Sequence, residues 1–204
     1  MKKKKLILIL ITILIGAICI IFYKNSVKDL NLGHNKSSQE IVDYILNINS
    51  YEVQVTIDIT SNKNKNKYIL KQTYKSPNIT TQEVIEPDNI SGIKIENDGT
   101  NLKIENSSLD LKTIFENYNY LGDNCLDLYS FIEDYKQDDL ANYEENNEEI
   151  IMTASSNIEN IYIQTKKLYI DKKTYNPTKM EVKSHQQNTT IYILYNEVKV
   201  NSSK

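Results

Sequence analysis

Two pairs of adjacent carboxylates, Glu144-Glu145 and Glu148-Glu149, are the first residues whose type and spacing could do chemistry. Two carboxyl groups work as acid and base when one is desolvated and held protonated while the other stays ionised. Both pairs stand in a polar Asn/Glu run that cannot bury a carboxyl and raise its pKa, so they read as solvated surface. Asp138-Asp139 lacks the spacing and the glycine of a calcium loop. His34 and His185 have no Cys, His or carboxylate partner at metal-ligand spacing, and neither stands where a Ser or Cys nucleophile is indicated. The chain has no Gly-x-Ser-x-Gly elbow, no phosphate-binding loop and no His-Glu-x-x-His. The expectation is a protein that is not an enzyme, with no catalytic, cofactor-binding or metal-binding residues and no cofactor.

What must be positioned is therefore a domain rather than a reactive centre. Residues 6–23, LILILITILIGAICIIFY, carry no charge and follow four lysines, Lys2 to Lys5. As a helix at about 1.5 Å per residue this run spans roughly 27 Å, close to the ~30 Å hydrocarbon core of a bilayer. Lysine-rich flanks stay in the cytoplasm, so the rest of the chain is expected outside it. The apolar run is longer than a signal peptide needs, and Ile18 before Cys19 spoils a lipidation site. An uncleaved signal-anchor over residues 1–24 is favoured over a cleaved signal or a lipidated Cys19. A polar linker follows at 25–36, and a single domain is expected over 37–200. Cys19 lies in the apolar run and Cys125 in the exported part, so the two are not expected to pair.

Within the domain, Ser37 precedes Glu40 by three residues, a capping-box start. Ile41, Tyr44, Ile45 and Ile48 then recur at helical spacing, up to about Asn49. The period changes to two in Tyr51–Thr60, where Tyr51, Val53, Val55, Ile57 and Ile59 share one face; core is favoured over a lipid cavity for that face. After a turn at Ser61–Asn66, strands are expected at Lys67–Lys75, Ile79–Ile85, Ile93–Glu96 and Leu102–Glu105. The last two flank an Asp98-Gly99 hairpin turn. Leu111–Tyr120 and Leu126–Tyr135 have helical spacing; in the second, Leu128, Phe131, Ile132 and Tyr135 share a face. Strands resume at Glu149–Thr153, Ile161–Lys166, Lys167–Asp171, Thr178–Ser184 and Thr190–Val198. Short local connections favour an antiparallel sheet, and the helices are the apolar surfaces available to cover it.

All 24 basic residues are lysine, and the net charge of −3 is uneven. Between Glu105 and Glu149 there are thirteen Asp or Glu against two Lys. Such a block reads first as a solvated face and second as a surface for a basic partner. The dispersed lysines and the expected compartment disfavour nucleic acid. Asn-x-Ser/Thr triplets at Asn78, Asn106 and Asn188 are expected by chance at this asparagine content.

Three segments resemble a known family. Tyr74-Lys-Ser-Pro77 followed by Glu83-Val-Ile-Glu-Pro87 is similar to a strand pair of the LolA-like extracytoplasmic proteins. Asn97-Asp-Gly-Thr-Asn-Leu102 is similar to their hairpin. The segment from Leu168 to Val182, LYIDKKTYNPTKMEV, resembles a strand–turn–strand unit of theirs. The Lys/Asn-rich first hairpin most resembles the GerS-like germination branch. The resemblance implies an α+β fold: a single curved antiparallel sheet, an incomplete LolA-like β-barrel, with helices packed into its mouth. It implies a non-enzymatic, single-pass membrane protein whose extracytoplasmic domain binds and supports a cortex-modifying N-acetylmuramoyl-L-alanine amidase, CwlD-like, in a spore former. The alternative it implies is a carrier of lipid, acyl chains or lipoproteins. The family's arginine after Lys-Ser-Pro is replaced here by Thr80-Thr81-Gln82, and an anchored chain cannot diffuse; both favour a tethered helper. An open barrel also has edge strands, which can accept a partner's strand or a second copy, giving a homodimer.

Overall fold

The structure is a computed structural model, and it describes residues 36–61, 64–118, 126–160, 163–184 and 189–201. The anchor expected at 1–24, the linker expected at 25–36 up to residue 35, and His34, His185, Cys19, Cys125 and Asn188 lie outside the described residues. Among the described residues no helix is long and apolar enough to cross a membrane. Residues from Ser37 onward form one compact unit.

Helix α1, Ser38–Leu46, starts where the capping box places it. The Ser37 amide donates to Glu40 Oε2 at 2.7 Å, and the Glu40 amide donates back to Ser37 Oγ at 3.3 Å. The chain then runs through β1 (Ser50–Ser61), β2 (Lys65–Lys75), β3 (Ile79–Glu86), β4 (Lys94–Asn97), β5 (Leu102–Asn106) and β6 (Leu111–Phe115). Helix α2, Leu128–Gln137, follows, and then β7 (Asn142–Glu145), β8 (Glu149–Asn160), β9 (Ile163–Asp171), β10 (Pro177–Lys183) and β11 (Thr189–Val200). All eleven strands join one antiparallel sheet in the order β6-β5-β4-β3-β2-β1-β11-β10-β9-β8-β7. The sheet is open, with β6 at one end and β7 at the other.

Period-two alternation decides which face is inner. Tyr51, Val53, Val55 and Ile57 of β1 are buried, and across the ladder so are Leu70 and Tyr74 of β2 and Ile193 and Tyr195 of β11. The same face continues through Met180 and Val182, Leu168 and Ile170, and Ile150 and Met152. Ile41, Val42 and Ile45 of α1 and Leu128, Phe131 and Ile132 of α2 complete that cluster. The inner face of β1 is therefore core, closed by helix side chains.

Three expectations need correction. The helix expected at Leu111–Tyr120 is strand β6 over Leu111–Phe115, in register with β5. Leu111, Ile114 and Phe115 have helical spacing, but β-branched Thr113 and Ile114 suit a strand. Asp110, at φ 50, turns the chain straight back along β5. The strands expected at Ile161–Lys166 and Lys167–Asp171 are one strand, β9, because Lys166 and Lys167 pair with Val182 and Glu181 without interruption. Strand β7 is additional to the expected strands, since Asn142–Glu145 has no apolar alternation; its backbone pairs with β8 all the same.

Candidate functional site

Among the described residues the two ends of the sheet differ in chemistry. At β7 Glu144 and Glu145, on opposite faces of the strand, are both exposed. Glu145 is held by Lys172 Nζ at 2.7 Å and by a short hydrogen bond from Ser38 Oγ, and these contacts keep its carboxyl below the usual carboxylate range. Charge on an edge strand discourages pairing with another chain.

At β6 the pattern is the opposite. One flank of β6 is paired to β5 through Asn106↔Leu111, Ile104↔Thr113 and Leu102↔Phe115; the other is the end of the sheet. Ile114 is 55% exposed, Phe115 43% and Leu111 40%, and Leu109 just before the strand is 65% exposed. By alternation Leu111 and Phe115 lie on the inner side and Ile114 on the outer side, so the edge has apolar residues on both. Its single charge, Lys112, stands opposite Glu105 of the paired strand. The adjoining outer face of β4 and β5 is a ladder of alternating charges. Lys103 meets Glu105 at 2.6 Å, and Lys94 lies 3.8 Å from Glu105 and 3.7 Å from Glu96. The hydrogen bond from Lys103 holds Glu105 low and Glu105 holds Lys103 high. Such solvent-facing pairs contribute little stability. Here they frame the apolar edge with charge.

The acidic block between Glu105 and Glu149 does not form one surface. Asp127 and Asp134 are buried. Asp138 accepts the amides of Leu140 and Ser155, which holds its carboxyl low. Glu105 and Glu145 are engaged with lysines on opposite halves of the sheet.

The buried carboxylates belong to a polar cluster under α2. Lys166, on the inner face of β9, is fully buried. Its Nζ lies 2.6 Å from Asp134 Oδ2 and donates to Ser130 Oγ at 2.8 Å, both on α2. Asp127 caps α2 by accepting the Ser130 amide at 2.6 Å, and Gln82 Nε2 on β3 reaches its other oxygen at 3.5 Å. Gln72 Nε2 on β2 donates to the Leu126 carbonyl at 3.2 Å. Burial is the main influence on Asp127 and pushes its carboxyl up to about 6, against the Ser130 amide and Lys166, which lower it. Burial also raises the Tyr195 phenol, with the Asp127 charge adding to it. Helix α2 shuts this cluster off from solvent, and the Ser130 hydroxyl accepts from an ammonium already paired with Asp134. The arrangement ties a helix to a sheet.

Sequence reading missed this cluster, although a signal was present. Lys166 shares the parity of Leu168 and Ile170, and Gln72 that of Leu70 and Tyr74; polar residues in the apolar phase of a strand mark a buried polar link.

The sequence matches the family described as sporulation protein YdcC-like over residues 2–204. No curated protein matches the chain. Among solved structures, a chain in the Clostridioides difficile CwlD amidase–GerS lipoprotein complex is 23% identical. The match covers 79% of this chain and 95% of that one, with a TM-score of 0.50. An uncharacterized conserved protein from Thermus thermophilus is 12% identical over 83% of this chain and 90% of its own, with a TM-score of 0.53. The LolA superfamily protein NE2245 from Nitrosomonas europaea is 14% identical over 83% of this chain and 96% of its own, with a TM-score of 0.47. The fold is shared with the chain of the amidase–GerS lipoprotein complex and with the Thermus thermophilus protein. The chain belongs to the YdcC-like sporulation protein family.

Proposed function

We propose that this member of the YdcC-like sporulation family is a non-enzymatic binding protein of the cell envelope. In this reading residues 1–24 anchor it in the membrane and the domain from Ser37 onward works outside the cytoplasm. Its partner is a cortex-modifying N-acetylmuramoyl-L-alanine amidase of the CwlD type, which it binds and supports in the spore. The likeness in fold to a chain of the complex between the CwlD amidase and the GerS lipoprotein suggests the partner.

The observation that carries a binding role is the apolar β6 edge. An edge strand at the open end of a sheet, with apolar residues on both sides and one lysine as its only charge, suits strand addition by a partner. The same observation favours a docking surface at β6 over one on the acidic block, which the fold takes apart. The carrier reading fits less well, because the inner face of β1 and β8–β11 is occupied by side chains of α1 and α2.

Capture of the sporulation amidase by the full chain in mild detergent, at micromolar concentration, tests the reading. Retention of a folded amidase is the expected result. Passage of the amidase unretained, with both proteins folded, contradicts it.

A further inference from the structure

The two helices on the inner face are held by different chemistry. Helix α1 is docked by Ile41, Val42 and Ile45, with its charged residues facing out. Helix α2 also buries Leu128, Phe131 and Ile132, but it brings two buried carboxylates, its cap Asp127 and Asp134, into the same interface. We propose that the polar link under α2 is a proton-operated lock, in which Lys166–Asp134 is the tether and Asp127 the switching group.

The groups facing Asp127 come from five elements. Ser130, Tyr129 and Asp134 lie on α2, Lys166 on β9, Gln82 on β3, Tyr51 on β1 and Tyr195 on β11. Among the described residues Asp127 and Asp134 are the carboxyl groups of this cluster and Lys166 is its ammonium. With Asp127 ionised the described cluster carries a net negative charge in a dry interior; with Asp127 protonated it is neutral. Burying net charge is costly, and the least disruptive relief is to take up a proton. The phenols do not compete for this role. Burial lifts Tyr51, Tyr129 and Tyr195 above the ordinary tyrosine range, so they remain neutral donors. The Tyr195 hydroxyl has no hydrogen-bond partner among the described residues, and a neutral Asp127 adds a donor to a region that can accept it.

The direction follows from linkage. A carboxyl raised to about 6 when α2 is docked, and near its ordinary 3.8 when α2 is released, binds its proton more tightly in the docked state. Between those values the docked state holds more protons. Docking is therefore strongest below 3.8 and is weakened as the pH rises through about 6, above which the loss levels off. From about pH 5 to about pH 7.5 the docking equilibrium changes by about tenfold. The lock is distinct from the β6 edge and holds whether or not an amidase is the partner.

Hydrogen exchange of the α2 amides in the full-length protein, corrected for intrinsic rates and normalised to α1, tests the lock. Wild type is expected to show about tenfold greater α2 protection at about pH 5 than at about pH 7.5. Asp127→Asn keeps a cap acceptor and removes the charge, and it is expected to hold α2 protected at both pH values. Asp134→Asn restores neutrality with Asp127 ionised and is expected to flatten the profile. A wild-type ratio that changes by less than about twofold overturns the proposal, and so does an Asp127→Asn protein that keeps the full pH dependence.

Discussion

The half of the sheet formed by β1, β2 and β8–β11 and the half formed by β4–β6 are built from the same kind of strand. Both alternate, both are antiparallel, and both put Ile, Leu and aromatic residues on the inner side. In the first half those residues are buried to within a few per cent, as with Val55, Met152, Leu168 and Ile193. In the second, Leu111 and Phe115 remain about two-fifths exposed. The difference lies in what sits above them. Helices α1 and α2 close the core over the first half, and β6 ends the sheet with no strand among the described residues paired to its outer flank. Alternation therefore specifies a face, while burial is specified by a helix far away in sequence. An apolar strand face left open is a surface for something else.

Two phenylalanines sharpen the comparison most. Phe131, on α2, is fully buried, so Phe131→Ala is expected to cost about 3–5 kcal/mol in chemical denaturation. Phe115→Ala, on the open edge, is expected to cost under about 1 kcal/mol. Equal losses would erase the distinction between the halves.

The next effect concerns binding rather than stability. Ile114→Asp places a negative charge on the β6 edge. It is expected to weaken amidase binding by at least about tenfold in equilibrium titration while leaving the thermal midpoint within about 2–4 °C. A similar charge added on β7, already acidic, is expected to leave binding unchanged.

A smaller effect is expected at the hairpin that joins β4 and β5. Gly99 sits at φ +89, and a Cβ there would overlap the side-chain amide of Asn78. Gly99→Ala is expected to cost roughly 1–2 kcal/mol by denaturation, since the backbone conformation is strained for alanine even if the Asn78 side chain swings away. Smaller still is Ser37→Ala, which removes the α1 cap in the covered half and should cost about 1 kcal/mol.

Much of this fold is legible in the sequence. The capping box gives the start of α1, alternation gives β1 to β5, β8, β10 and β11 but divides β9 in two, and Asp98-Gly99 gives a hairpin whose loop amides of Thr100 and Asn101 do bond Asp98. The failures share a cause. Leu111, Ile114 and Phe115 are spaced like a helix face because an edge strand open on both sides can carry apolar residues in both phases. The acidic block reads as one surface because sequence separates neither a buried cap, Asp127, nor a buried pair partner, Asp134, from an exposed carboxylate. Their partner Lys166 lies more than thirty residues away from both and is brought to them only when α2 folds down on β9. The open apolar edge is thus hidden inside a segment with helical spacing, and the buried polar link inside an apparent surface.

Hydrogen–deuterium exchange of the full chain with and without the purified sporulation amidase tests the central claim most directly. The account predicts added protection of the β6 amides at Leu111–Phe115 on complex formation and no change at β7, Asn142–Glu145. A complex that protects β7 or the outer face of β9–β11 and leaves β6 exchanging as in the free protein would contradict it.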